Sequence, residues 1–162
     1  MHWVPVTKLL ILITIANGAP VIAQRIWGEK GSQPIDFDSL WYDERPVFGP
    51  SKTFRGLICS LAATAVIAPM LRLDWKIGLV AGAAAMVGDL LSSFTKRRFG
   101  LTAGARATGL DQIPESLIPA LLCAEQLDLS WLDVLLVACA FFVGELIFSR
   151  VLYRLHIRRR PY

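Results

Sequence analysis

Apolar residues gather in long runs along this chain, and the charged and turn-forming residues collect between them. A helix that crosses a bilayer needs about 20 mostly apolar residues, with about 17 as the lower end. By that measure the runs predict about five spans: Trp3 to Ile22, Phe54 to Leu71, Ile77 to Phe94, Thr108 to Cys123 and Trp131 to Leu152. The fourth is the weakest, because Asp111, Gln112, Pro114 and Glu115 interrupt its beginning, and a broken or re-entrant helix suits it. The first run lacks a basic leading segment and a small-x-small cleavage site and ends in Asn17-Gly18-Ala19-Pro20, so a retained helix is expected rather than a cleaved signal. The expected fold is an all-α integral membrane protein. One domain, residues 1–162, forms a bundle of about five transmembrane helices.

Lysine and arginine are in excess in the short connections that face the cytoplasm. The first connection holds Arg25, Lys30, Arg45, Lys52 and Arg55, the third Lys96, Arg97, Arg98 and Arg106, and the tail Arg154, Arg158, Arg159 and Arg160. The second offers only Arg72 and Lys76, and the fourth carries Glu125, Asp128 and Asp133 without a base. Five spans in the cell membrane, with the amino end outside and the carboxyl end inside, satisfy all of these. Trp3, Trp75 and Trp131 then lie near the outer interface, where belt residues collect. Residues 24–53 are rich in Trp, Phe, Pro and Gly and mix both charge signs, which predicts an ordered cytoplasmic loop against the bundle.

Composition agrees. Over 162 residues, 54% are hydrophobic and the mean hydropathy is +0.50, too apolar for an ordinary soluble domain. The net charge of +4 and pI near 9.2 do not point to nucleic acid, because the bases flank apolar spans instead of lining a soluble face. Cys59, Cys123 and Cys139 fall inside apolar stretches without metal-ligand spacing and read as small hydrophobes.

Chemistry concentrates where spans end. In Gly88-Asp89-Leu90-Leu91-Ser92-Ser93-Phe94-Thr95-Lys96-Arg97-Arg98, helical spacing puts Asp89, Ser92, Ser93, Lys96 and Arg97 on one stripe. A charge deep in a span costs roughly 2.5 to 3.5 kcal/mol, so Asp89 needs a partner, water or a metal. The plain alternative is a bracing pair of Asp89 with Lys96 or Arg97. Asp111 and Glu115 lie one turn apart on one helix face, where two carboxylates repel unless a proton or cation intervenes. With Asp89 they would lie near the cytoplasmic boundary, ringed by bases, an arrangement suited to magnesium carrying a polyphosphate. Simple solvation at a helix amino end is the alternative for Asp111 and Glu115.

The second span is preceded by Phe48-Gly49-Pro50-Ser51-Lys52-Thr53-Phe54-Arg55-Gly56. A turn, a mobile lysine, an arginine fork and free helix N–H groups make a candidate anion cradle. It is not a P-loop, since the glycine-rich run before Gly-Lys-Ser/Thr is missing. Turn plus cap explains Gly49, Pro50, Ser51 and Thr53 equally well.

These two strings together resemble the CTP-dependent lipid cytidylyltransferases, and the chain is most similar to the CDP-archaeol synthase family. The likeness begins at Asn17-Gly18-Ala19-Pro20, runs through Pro34-Ile35-Asp36-Phe37, Asp43 with Arg45, Phe48-Gly49 and Ser51 to Gly56, resumes at Gly88-Asp89-Leu90 with Ser93 and Lys96-Arg97-Arg98, and closes at Leu110-Asp111-Gln112. The resemblance implies transfer of CMP from CTP to a membrane lipid phosphate, with Mg2+ and release of pyrophosphate. It would give Ser51, Lys52, Thr53 and Arg55 to the nucleotide phosphates, Asp89 and Asp111 to the metal, and Lys96, Arg97 and Arg98 to the triphosphate or lipid phosphate. The resemblance also places Asn17, Asp36, Asp43 and Arg45 among the CTP- or phosphate-binding positions, without an individual role for each. The chain departs from the pattern after Asp111-Gln112, where Ile113-Pro114-Glu115 stands in place of a Leu-Asp pair; either Glu115 serves as the second metal carboxylate or the metal site is altered. The competing reading is a non-catalytic membrane protein that keeps the bundle for lipid or partner binding. An ether-linked archaetidic acid and an ester-linked phosphatidic acid both remain open as acceptor, as does the oligomeric state.

Overall fold

The structure is a computed structural model that describes residues 2–105 and 107–154, with side chains of 148–154 excepted. The basic residues Arg106, Arg158, Arg159 and Arg160 and the Arg154 side chain, used above for orientation, lie outside the described residues. Five helices follow one another: α1 Trp3–Trp27, α2 Phe54–Met70, α3 Trp75–Arg98, α4 Gln112–Leu122 and α5 Trp131–Arg154. Helix α3 is central and packs on α2 and α4, while α1 touches α2, α3 and α5. The fold is an all-helical membrane bundle. Among the described residues, α1 and α3 are long and apolar enough to cross a bilayer on their own, and α2 is a shorter apolar helix.

Local chemistry sets the helix ends. Thr53 caps α2 by accepting the Gly56 N–H at 3.1 Å, and Asp74 caps α3 by accepting the Lys76 N–H at 2.8 Å. Helix α1 runs beyond the expected Ile22 to Trp27, through Pro20, and stops at Gly28, whose φ of 55° takes the chain out of the helix. Helix α4 is the largest departure from expectation. It begins at Gln112, not Thr108, and has 11 residues, so it is about 16 Å long against a hydrocarbon layer of about 30 Å. Gly104 and Gly109, both at positive φ, hold the preceding segment in a turn-rich path that helical geometry forbids.

Most of the apolar core lies toward the α1 and α5 amino ends, where Leu9, Leu12 and Ile13 meet Ala120, Val134 and Val137. Small residues let the helices approach closely, the packing mode available where lipid removes a hydrophobic driving force between helices. A Cβ on Gly82 would stand 2.3 Å from the Thr64 hydroxyl, and one on Gly78 would stand 2.3 Å from the Thr64 carbonyl. At this end His2 and Asp133 tie the amino terminus to α5: the buried Asp133 carboxylate accepts the His2 backbone N–H at 3.0 Å and the Ser130 hydroxyl at 2.7 Å.

The opposite end carries the ordered loop of residues 28–53. Its ends are drawn together by Ile35 N–H on the Lys52 carbonyl and Phe54 N–H on the Gln33 carbonyl, at 2.8 and 3.1 Å. Its middle folds back through an isolated bridge between Leu40 and Pro46. Buried Asp36 organises the turn by accepting the Phe48 and Gly49 N–H groups, each at 2.8 Å. The loop therefore packs as expected, and it delivers Lys52 to the bundle in a fixed position.

Candidate active site

Lys52, the residue before the α2 cap, reaches across to α3 and places its ammonium 2.6 Å from both carboxylate oxygens of Asp89. Each side chain is about one-fifth exposed, so the pair opens to solvent on one side. Sequence spacing offered Lys96 or Arg97 as the bracing partner of Asp89. The structure replaces both with Lys52, because residues seven apart on a helix share a face but stand about 10 Å apart.

Lys96 has its own partner. Its ammonium lies 2.6 Å from Asp111 and donates to the Ala105 carbonyl at 3.2 Å. The second Asp111 oxygen accepts the Ala107 N–H at 3.0 Å, fixing the approach to α4. Gly88 governs where α4 lies, since a Cβ there would stand 2.4 Å from the Pro114 carbonyl oxygen and 2.7 Å from the Glu115 Cα. With α3 and α4 so close, Glu115 is buried beside Asp89, near enough for the two carboxylates to interact. The antiparallel register thus matches Glu115 with Asp89 and Asp111 with Lys96. It does not bring Asp89, Asp111 and Glu115, the expected metal set, to one point, and no group of three or more acid, His or Cys side chains among the described residues is placed to hold a metal ion.

The remaining expected phosphate ligands divide into two groups. Arg97 is buried, donates to the Thr102 carbonyl at 2.7 Å and leaves its Nε without a partner, close to Gly49. Ser51 is exposed immediately before Lys52, and Thr53 is occupied as the α2 cap. Arg55 instead holds the loop to α1 by donating to the Gly28 carbonyl at 2.9 Å, to the Lys30 carbonyl and to the Gln24 side chain. Arg98 pairs with Asp43 at 2.7 Å, donates to the Pro46 carbonyl at 2.6 Å and lies over the Phe94 ring. Arg45 donates to the Arg98 carbonyl at 2.7 Å, satisfying an α3 end carbonyl. Asp43, Arg45, Arg55 and Arg98 therefore form the clamp that seats the loop, and Asp36 shapes its turn. Asn17 donates to the Ile13 carbonyl of its own helix at 3.2 Å.

Glu145 of α5 is the residue that the spacing argument missed. Its charge acts on Glu115 across the α4–α5 contact. The available signal was an acid within an apolar span, a costly placement that marks function by default.

The bundle thus carries two lysine-carboxylate pairs at one end, where a charged loop folds over the helix termini. The family described as CarS-like, CDP-archaeol synthase, matches residues 71–162. A CDP-archaeol synthase of Sulfolobus acidocaldarius is 37% identical over 155 residues, covering 91% of each chain. One of Sulfurisphaera tokodaii is 34% identical over 155 residues, covering 91% of this chain and 89% of its own. A solved structure described as an intramembrane enzyme for archaeal membrane lipid biosynthesis superposes with a TM-score of 0.75 at 27% identity, covering 88% of this chain and 90% of that one. The chain belongs to the CDP-archaeol synthase family.

Proposed function

We propose that this protein transfers CMP from CTP to the phosphate of a membrane lipid of the archaetidic acid type, forming a CDP-activated lipid and pyrophosphate. The observation that carries the reading is the Lys52–Asp89 pair, held at 2.6 Å where the loop meets α3 and left open on one side, in a chain of this family. Lysine is a mobile point charge, and exchange of a carboxylate for a phosphate oxygen needs only rotation of its stem.

The chemistry needs positioning and charge compensation, with no covalent nucleophile. A lipid phosphate oxygen attacks the α-phosphorus in line, a new phosphorus–oxygen bond forms, and the bond to the β-phosphate oxygen breaks as pyrophosphate leaves. Lys52 and Lys96 turn from their carboxylates to the triphosphate, and the unpartnered Arg97 Nε offers a further donor. The clamp of Asp43, Arg45 and Arg98 keeps Lys52 at a set height relative to the lipid phosphate.

Magnesium takes one or two carboxylates and fills its shell with water and substrate phosphate. Asp89, a hard oxygen donor freed when Lys52 turns to phosphate, would be a single protein ligand for an ion that arrives with the nucleotide, and Asp111, paired with Lys96, is not brought to the same point. Held there, magnesium would offset charge on the triphosphate and the leaving pyrophosphate. The loop end belongs to the cytoplasm on this reading, supported by the availability of CTP there and by the lysine and arginine excess of the connections at that end.

Purified protein in lipid nanodiscs, given labelled CTP, magnesium and a panel of ether-linked and ester-linked lipid phosphates, tests the proposal. Labelled CDP-lipid with the ether-linked acceptor is expected. CTP binding without product from any acceptor would overturn it in favour of a non-catalytic binding protein.

A further inference from the structure

The loop of residues 28–53 turns its largest apolar side chains outward. Phe37 is 64% exposed, Leu40 62%, Trp41 44% and Tyr42 96%. A contiguous exposed apolar patch of this kind marks a surface that is covered in use. Phe37 has a φ of 50°, an outlying backbone conformation for a bulky residue, and Asp38 follows at 58°. Asp36 holds that conformation, because its carboxylate accepts the Asp38 N–H at 3.2 Å besides those of Phe48 and Gly49. The local structure therefore holds Phe37 outward.

Two ring contacts fix the depth of the patch. Phe37 packs on Phe54, the first residue of α2, with ring centroids 5.4 Å apart. Trp41 meets Phe94 edge-on at 5.3 Å, one turn before α3 ends at Arg98. The patch thus continues the apolar flank of the bundle at the level where α2 enters and α3 leaves the hydrocarbon. Ile26 and Trp27 in the last turn of α1 are exposed too, and Arg25 and Lys30 beside them add positive charge for anionic head groups.

We infer that Phe37, Leu40, Trp41 and Tyr42 form a membrane-interface anchor that seats the loop in the headgroup layer beside the Lys52–Asp89 pair. The occupant is the boundary between head groups and acyl chains of the leaflet on the loop side. Continuity with the lipid-facing flank through Phe54 and Phe94 favours it over a protein partner, which needs a patch standing clear of the bilayer. The anchor does not depend on which reaction, if any, the site performs.

The test places an environment-sensitive NBD label at Tyr42→Cys or Leu40→Cys in a full chain carrying Cys59→Ala, Cys123→Ala and Cys139→Ala, reconstituted in nanodiscs. Both positions are exposed, so the label displaces no core contact. Emission shifted to shorter wavelength than free NBD-cysteine in water is expected, with quenching by lipids that carry a doxyl group near the head of the chain. Intact folding is checked by monodisperse elution and helical circular dichroism of each labelled sample. Water-like emission without doxyl quenching at both positions would overturn the anchor, and a later change on adding another protein would assign the patch to that partner instead.

Discussion

Gly88 lies so close to Pro114 that a Cβ on it would stand 2.4 Å from the Pro114 carbonyl oxygen. The contact is backbone to backbone, so no side chain can swing aside to relieve it. It also sets the distance between Asp89 and Glu115, the next residues along each helix. Gly88→Ala should therefore push α4 away from α3 at an overpacking cost of about 1 to 3 kcal/mol. A lower thermal midpoint in detergent together with a loss of CDP-lipid formation is the expected result. Wild-type stability in that variant would mean that the two helices are not locked at this point.

The Lys52–Asp89 pair predicts a graded series. Lys52→Ala removes a charge-assisted phosphate contact of about 1.5 to 3 kcal/mol, equivalent to about 10- to 150-fold in kcat/KM for CTP. Lys52→Arg should recover part of this, since a planar fork cannot reproduce the geometry of an ammonium. Asp89→Asn should abolish turnover while leaving helix content intact. CTP titrations of the three variants check the series, and an unchanged CTP dependence in Lys52→Ala would remove this lysine from the nucleotide site.

Helices α2 and α3 were legible because their apolar runs are long and open on caps that the sequence carries, Thr53 for α2 and Asp74 for α3. The stripe on α3 was legible too, and Ser92, Ser93, Lys96 and Arg97 are all buried. Partners across the bundle were not. Helical spacing relates residues of one helix, whereas Lys52 reaches Asp89 through a loop whose path depends on Asp36, Arg45 and Arg98. The same limit hides the contacts that Arg55 and Arg98 make, because an arginine that holds carbonyls at a helix end carries the same local sequence as one that awaits an anion. Helix α4 was overextended because Thr108 to Asp111 is compatible with a helix, and the positive φ of Gly109 with the pairing of Asp111 to Lys96 makes it a turn.

Lys96 and Asp111 are both largely buried, at 9% and 14% side-chain exposure, so neither charge is well solvated without the other. Removing one partner of such a pair costs about 3 to 5 kcal/mol, whereas replacing both by apolar residues is far milder. Lys96→Met and Asp111→Leu should each destabilise the protein more than the double variant does. Thermal midpoints of the four proteins in one detergent form the cycle, and additive losses would show that the two charges are solvated independently.

The proposed orientation puts the ordered loop and the α4–α5 connection on opposite sides. Ser32→Cys and Gln126→Cys, introduced singly into a chain without native cysteines, should label with a membrane-impermeant maleimide only from the inside and only from the outside, respectively. Ser130 is avoided because its hydroxyl holds Asp133 at 2.7 Å. External labelling at residue 32 in sealed vesicles would reverse the topology and take the site away from cytoplasmic CTP.

Glu115 stands where the chain departs from the family pattern, and its contacts separate two roles. A metal carboxylate shared with Asp111 would need both side chains at one point, yet Asp111 pairs with Lys96 and Glu115 lies beside Asp89. On the proposed mechanism Glu115 would then position Asp89. Glu115→Gln retains a hydrogen-bond donor at the same reach, so it should keep most of the rate and leave the magnesium titration unshifted. Glu115→Asp is shorter by one methylene and should lose the contact, lowering kcat by the about 1.5 to 3 kcal/mol of a hydrogen bond to a charged group. Glu115→Leu should lose at least as much, because it leaves the Asp89 carboxylate facing an apolar side chain. Magnesium dependence of kcat for all three variants decides the matter. A requirement displaced to higher magnesium in Glu115→Gln would place Glu115 on the metal, and equal rates in all three would reduce it to a buried helix-start acid.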